Sequence, residues 1–206
     1  MRSHSAAVAL EGAPSREASR ALLEQALRDR SNDAANLIVT VPAPVAPPDA
    51  LLRAFPSEAS ILWDPPRSGA CAGLGLAKSL APEAGAIAEF FDASDHVAGA
   101  ASPSPRVFGG SSFAPGAARD VPWEAFGDGV LLLPTWTYHV DERAWLSLSL
   151  CEPGDRQDGR LLEVFDTIWG SLERPIGVIP SPVSARRIDE ADRDAWTRQV
   201  EGIRQR

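Results

Sequence analysis

Apolar residues recur every four positions over residues 15–30, near the start of the chain. The residues at this spacing are Ala18, Leu22, Ala26, Leu23 and Leu27. Such spacing places them on one side of a helix, and Pro14 and Ser15 are residues that favour a helix start. We therefore predict a first helix over residues 15–30, after a loose N-terminus at residues 1–14.

Several later segments have the composition or the alternation of β-strands. The predicted strands are residues 36–41, 60–66, 70–80, 106–111, 130–140 and 144–152. In the last of these, leucines alternate with Ser147 and Ser149, which predicts that one face of the strand is buried and the other is not. Short turns at residues 67–69 and 141–143 predict two hairpins.

Helical patterns return between and after these strands. The predicted later helices are residues 82–97, residues 161–172 and a last helix that begins near Asp189. The proline-rich residues 42–50 are expected to form a stiff connection. Together these elements predict an α+β fold, with antiparallel sheets flanked by helices.

Two pairs of glycines interrupt the predicted strands. Gly73 and Gly75 resemble part of a dinucleotide-binding loop, but Lys78 stands where the fingerprint requires its third glycine. Gly109 and Gly110 could cradle a phosphate, mark a bulge, or allow another backbone to come close. Because no helix follows Gly110, we favour a bend or a close approach over a phosphate site.

Composition and net charge argue against several classes of protein. The chain has 206 residues, 44% of them hydrophobic, and a net charge of −8. This charge argues against nucleic-acid binding, which usually requires a basic surface. No apolar run has the length needed to cross a bilayer, and the N-terminus does not have the pattern of a signal peptide. We expect a cytoplasmic protein in which Cys71 and Cys151 are buried thiols rather than a disulfide.

Side chains with catalytic potential do not form a recognisable constellation. His139 is expected to be a packed or edge residue of its strand, His96 to end a helix, and His4 to lie in the loose N-terminus. The acidic pairs Asp189/Asp192 and Glu152/Asp155 suit a helix start and a solvated turn, and no histidine and cysteine cluster has metal-ligand spacing. The tryptophans are expected to be core anchors; they are Trp63, Trp123, Trp136, Trp145, Trp169 and Trp196. We therefore assign no catalytic, cofactor-binding or metal-binding residue.

The order of several short motifs resembles the isochorismate synthases, a branch of the chorismate-utilising enzymes. Residues 61–80, "ILWDPPRSGACAGLGLAKSL", resemble their aromatic-Trp-Glu strand, turn and "AGLGVA" segment. Residues 106–116, "RVFGGSSFAPG", and 122–148 resemble their "FGG-x-x-F" strand, "W-x-x-F" segment, "LP" strand and hairpin. Residues 194–206 resemble the helix that leads into the catalytic half. The resemblance covers residues 15–206.

This resemblance implies the N-terminal half of a two-sheet α+β sandwich. In the family, Mg²⁺ binds the carboxylate of chorismate, a lysine activates water for attack at C2, and a glutamate acts as the acid at C4. The product, isochorismate, is a precursor of menaquinone, salicylate and catechol siderophores. The motifs that carry these residues follow the last helix, so none is carried over to this chain. Lys78 matches nothing catalytic, and a surface role is expected for it.

One departure from the wider family favours the isochorismate branch. Anthranilate synthases carry a Leu-Leu-Glu-Ser signature for tryptophan feedback where this chain has residues 61–64, "ILWD". Two hypotheses follow from the resemblance. The chain is the non-catalytic N-terminal half of an isochorismate synthase, inactive by itself; or it is a non-enzymatic lobe that binds a separately encoded catalytic half.

Overall fold

The computed structural model describes residues 14–30, 36–65, 69–80, 85–99, 102–112, 116, 127–151 and 158–174. These residues form four helices and nine strands. The helices are α1 (Arg16–Asp29), α2 (Asp49–Arg53), α3 (Ala86–Asp92) and α4 (Asp158–Glu173). The strands are β1 (Asn36–Ala43), β2 (Ser60–Trp63), β3 (Ala70–Leu74), β4 (Lys78–Leu80), β5 (Ser94–Ala98), β6 (Phe108–Ser111), β7 (Gly129–Leu133), β8 (Trp136–Val140) and β9 (Ala144–Leu150).

The strands form two sheets, and the predicted α+β class is confirmed. The large sheet has six strands in the order β2-β3-β8-β9-β1-β5, and the small sheet has three in the order β4-β7-β6. Both predicted hairpins are present, β2 with β3 and β8 with β9. One pairing departs from the antiparallel expectation, because β5 runs parallel to β1.

Two segments that we predicted as single strands are each divided between the two sheets. Residues 70–80 form β3 in the large sheet and β4 in the small one, and residues 130–140 form β7 and β8 in the same way. The first break lies at Gly75, whose φ of 68° is a left-handed conformation that favours glycine. The second lies at Pro134, which has no N–H group to continue a ladder.

The helix predicted over residues 82–97 is wrong in its second half. Within the described residues, only Ala86–Asp92 is helical, and the chain then enters β5. The Ser94 hydroxyl donates a hydrogen bond to the Phe90 carbonyl at 2.7 Å, which satisfies a carbonyl at the helix end. His96 therefore lies on a strand and does not end a helix.

The connection predicted over residues 42–50 is also corrected. Its first two residues belong to β1, and its last two begin the short helix α2. The Ala50 N–H donates to the Pro47 carbonyl at 2.9 Å, so the prolines start this helix.

The main core lies between the helices and one face of the large sheet. Ser15 caps α1 through its hydroxyl, and Leu23 of α1 packs in the same cluster as Val39 of β1 and Trp169 of α4. The buried face of α1 differs from the prediction at the start of the helix. Ser19 is buried there, whereas Ala18, the predicted residue, is exposed. The Ser19 hydroxyl donates to the Pro42 carbonyl at 2.8 Å.

The opposite face of the large sheet is covered as well, which corrects the one-sided burial predicted for β9. Ser147 and Ser149 are 8% and 2% exposed. The Ser147 hydroxyl lies 2.8 Å from the Thr40 hydroxyl of the neighbouring strand. A second apolar cluster includes Ile38 of β1 and Leu133 of β7, so the two sheets contact each other on this side.

Other predictions about burial are confirmed in part. Both cysteines are buried, and so are three of the tryptophans, namely Trp136, Trp145 and Trp169. Trp63 is instead 57% exposed. Among the described residues, no helix has the length and apolar character needed to span a membrane. The loose N-terminus at residues 1–13, Trp123, Trp196, both acidic pairs and the last helix lie outside the described residues.

Tyr138 fastens the loop that follows β1 to the large sheet. Its hydroxyl accepts a hydrogen bond from the Ala46 N–H at 2.8 Å and lies within donating distance of the Pro44 and Ala46 carbonyls, at 2.8 and 3.0 Å. Burial raises the pKa of Tyr138 to about 12, and the hydrogen bond with Ala46 opposes that shift. The hydroxyl therefore stays protonated and can donate at any physiological pH.

We expect Tyr138→Phe to lower the free energy of unfolding by about 1–3 kcal/mol, because the Ala46 N–H loses its partner in a part-buried position. Urea unfolding followed by circular dichroism measures this change. Thr167→Val is the control, since it removes an exposed hydroxyl that bonds only to the Glu163 carbonyl, and it should cost less than about 0.5 kcal/mol. Equal effects of the two substitutions would contradict the anchoring role.

Candidate functional site

A cleft of about 510 Å³ lies between the edge strand β2 of the large sheet and the edge strand β6 of the small sheet. We call it the inter-sheet cleft. Its lining residues are Ile61, Trp63, Arg106, Val107, Phe108, Gly109 and Leu132. Ile61 and Trp63 are two residues apart on β2 and so project from the same face, toward the small sheet. The walls are therefore mostly apolar, and Arg106 is the charged residue among them.

Gly109 brings β6 and β7 together at the floor of this cleft. A Cβ atom added at Gly109 would overlap the Val130 carbonyl oxygen and lie 2.9 Å from the Leu131 Cα. At Gly110 the same atom would meet nothing within 4 Å. The predicted close approach of another backbone is thus correct for Gly109. The prediction of a buried strand is wrong, because three of the four residues of β6 are exposed and only Phe108 is partly buried.

Arg106 exerts its charge on two residues of the large sheet. Cys71 on β3 and His139 on β8 are direct cross-strand neighbours, and the arginine influences the pKa of both. Within the described ranges, no carboxylate lies at ion-pair distance from Arg106. Arg106 is itself exposed, so its guanidinium group can contact a ligand in the inter-sheet cleft that it lines.

The two neighbours of Arg106 are both held in their neutral forms. Burial raises the pKa of the Cys71 thiol, and the charge of Arg106 opposes this only in part. Burial lowers the pKa of His139, Arg106 lowers it further, and Asp141 raises it. A protonated thiol is a poor nucleophile, so this pair is not arranged for covalent catalysis.

His139 is a packed strand residue, as its pattern predicts. Its Nδ1 atom is buried and has no hydrogen-bond partner in the described part of the chain. A Cβ atom at Gly69 would lie 2.7 Å from the His139 Nε2 atom, so the neighbouring backbone confines the ring. The imidazole is half-buried, with its Nε2 atom beside Gly69.

The remaining candidates lie apart from the inter-sheet cleft. His96 on β5 has its Nε2 atom 3.1 Å from the Phe91 carbonyl. Lys78 on β4 places its ammonium group 5.7 Å from the centre of the Phe90 ring, a cation–π contact, so it is only half exposed. His4 lies outside the described residues.

A second cavity, of about 340 Å³, lies beside the helices. Its lining includes Phe55, Leu74, Trp136, Glu58 and Arg160. It mixes core side chains with two charged ones, and it has no orphaned buried polar atom among its lining residues. We take the inter-sheet cleft as the candidate site because the charge of its arginine acts on two side chains with chemical potential, Cys71 and His139.

Arg106 was missed by the sequence prediction. Nothing in "RVFGGSSF" marks it as different from the other arginines, since its neighbours Cys71 and His139 come from distant strands. Comparison with known proteins adds no assignment: no protein-family model and no curated protein matches the chain.

Gly109→Ala should destabilise the protein by about 3 kcal/mol, because the new methyl group overlaps the β7 backbone, which cannot move without breaking the ladder. Gly110→Ala is the matched control and should change stability by less than about 0.5 kcal/mol, since the space there is open. Thermal or urea unfolding of the two variants checks this. If Gly110→Ala proves as harmful as Gly109→Ala, the close-approach explanation is wrong.

Arg106→Gln should raise the pKa of His139, which nevertheless stays below its ordinary value because burial remains the larger cause. With a folded-state pKa below the unfolded one, the neutral imidazole contributes stability above about pH 6.5 that is lost as the pH falls through the folded pKa. The substitution should therefore reduce this acid sensitivity.

Titration of the imidazole resonances by NMR measures the His139 pKa directly. Arg53→Gln is a suitable control, because Arg53 pairs with Asp49 on α2 and does not act on His139. An unchanged His139 pKa in Arg106→Gln would show that the arginine does not face this histidine in solution.

Proposed function

We propose that this chain forms the N-terminal lobe of an isochorismate synthase-like enzyme, which isomerises chorismate to isochorismate. One observation carries the proposal. Two of the short motifs whose order carries the resemblance, "ILW" at residues 61–63 and "RVFGG" at residues 106–110, are far apart in sequence but contribute residues to the same inter-sheet cleft. Their meeting at one cavity supports a shared role for these motifs.

The chemistry of the inter-sheet cleft also suits this substrate. Chorismate has a ring and two carboxylates, so it presents both an apolar face and negative charge. Trp63 and Phe108 provide apolar surface, and Arg106 provides a cation with no carboxylate at ion-pair distance in the described ranges. A guanidinium group binds a carboxylate through paired hydrogen bonds. We propose that Arg106 orients chorismate and takes no part in bond making.

The family's Mg²⁺ does not fit the described residues of this lobe. No three histidine, cysteine, aspartate or glutamate side chains come together there to hold a metal ion. As the resemblance implies, we propose that the metal ligands, the water-activating lysine and the acid belong to the catalytic half, and we assign no step of the reaction to this lobe.

A cytoplasmic location forms part of the same proposal. Cys71 is a buried free thiol, which is usual in a reducing compartment. The pathways that the resemblance suggests, to menaquinone, salicylate or catechol siderophores, begin with the same isomerisation.

The test is the conversion of chorismate in the presence of Mg²⁺, with products separated by chromatography. The chain alone should form no isochorismate, whereas a mixture with the separately produced catalytic half of an isochorismate synthase should form it. Turnover by the chain alone would overturn the assignment of the chemistry elsewhere. A mixture that forms neither a complex nor product would overturn the lobe assignment.

In the active mixture, Arg106→Gln should raise the KM for chorismate about tenfold, because a charged hydrogen bond to a carboxylate is lost. Arg53→Gln removes one arginine charge far from the inter-sheet cleft and should leave KM unchanged. Equal KM values for the two variants would exclude Arg106 from substrate binding.

A further inference from the structure

The two edges of the large sheet differ in chemistry. At one edge β5 carries Asp95 and His96, polar residues of the kind that discourage pairing with another chain. At the other edge β2 has the sequence Ser-Ile-Leu-Trp and no charged residue. Leu62 is 49% exposed and Trp63 is 57% exposed. Within the described residues, β2 pairs with β3 alone.

The backbone of β2 offers a defined set of hydrogen-bonding groups to a further strand. The Gly75 N–H donates to the Ala59 carbonyl at 2.8 Å, so the polar groups of Ala59 point toward β3. These groups alternate in direction along a strand. Those of Ile61 and Trp63 therefore also point toward β3, and those of Ser60, Leu62 and Asp64 point outward.

We propose that β2 pairs antiparallel with β2 of a second copy of this chain, about a two-fold axis at Leu62. In this register Leu62 lies opposite Leu62 of the second copy, and Ser60 lies opposite Asp64. These are the residues whose N–H and carbonyl groups point outward, so each opposed pair can exchange hydrogen bonds.

The side chains are self-complementary in the same register. Ile61 lies opposite Trp63 of the second copy, on the face that borders the inter-sheet cleft, in a non-hydrogen-bonded pair where side chains come closest. Aromatic residues paired with β-branched ones stabilise antiparallel strands. Leu62 meets its own copy on the helix-bearing face, and no like charges face each other.

A second copy accounts for these features better than an unrelated strand would. The symmetric pairing places each apolar residue of β2 opposite an apolar residue of the second copy. The same surface of both copies thus forms the interface, as in isologous dimers. The proposed dimer forms through the described edge of β2 and does not depend on the proposed function. The net charge of −8 opposes association at long range, so added salt should strengthen the dimer.

Sedimentation velocity of the full chain from about 1 to 100 µM tests the proposal, and a monomer–dimer equilibrium is expected. Leu62→Lys should raise the dissociation constant at least about tenfold, since the two introduced ammonium groups would face each other. Val45→Lys is the matched control. Val45 is 65% exposed in the link between β1 and α2, and its substitution adds the same charge without changing the β2 edge.

Ser60→Pro provides a second variant that adds no charge. It removes an outward N–H at the first residue of β2, where proline is tolerated, and keeps the pairing with β3. It should also weaken the dimer, with an unchanged circular dichroism spectrum. A monomer throughout the concentration range would overturn the proposal, even if the chain bound a different protein at this edge. A dimer unaffected by both β2 variants would overturn it as well.

Discussion

The structure depends on close packing where two of the chain's passages between the sheets, β3 to β4 and β7 to β8, lie side by side. A side chain at Gly73 would place its Cβ 2.6 Å from the Pro134 ring, and one at Gly75 would come 3.1 Å from the Thr135 hydroxyl. Beside them, the Ala77 N–H donates to the Leu133 carbonyl at 2.8 Å. Because these two connections pack directly against each other, they fix the position of one sheet relative to the other. The inter-sheet cleft is the space that remains between the sheet edges.

The covering of both faces of the large sheet follows from that arrangement. One face receives helices and is lined by leucine, valine and aromatic residues, whereas the other faces the small sheet and includes Thr40, Thr137 and Ser147. The Thr40 and Ser147 hydroxyls bond to each other, while the Thr137 hydroxyl is buried with no partner among the described residues. These residues form a polar strip under the small sheet, which reduces the apolar contact between the two sheets. The packing of Gly73 against Pro134 is therefore more important for holding the two sheets together.

Periodic spacing and turn residues predicted the elements that form between residues close together in sequence. The four-residue spacing around Leu23 predicted α1, and the turns predicted both hairpins. Sheet membership could not be predicted, because residues 130–140 have the composition of one long strand. The proline at 134 marks a break in the ladder, but only pairing with other strands assigns β7 and β8 to different sheets. The strand β5 has little pattern of its own and forms because β1 offers it a free side. Arg106 gained significance only when distant strands brought Cys71 and His139 beside it.

The position of β1 between β9 and β5 has a consequence for how the protein is made. This strand leaves the ribosome well before β9, because Thr40 and its hydrogen-bonded partner Ser147 are 107 residues apart. The apolar residues of β1 must therefore remain without their antiparallel neighbour until most of the described chain has been synthesised. Long-range pairing of this kind slows folding and prolongs exposure to aggregation. A nascent chain halted before β9 could pair β1 with β5 but would leave its other edge open, and an open strand edge favours aggregation.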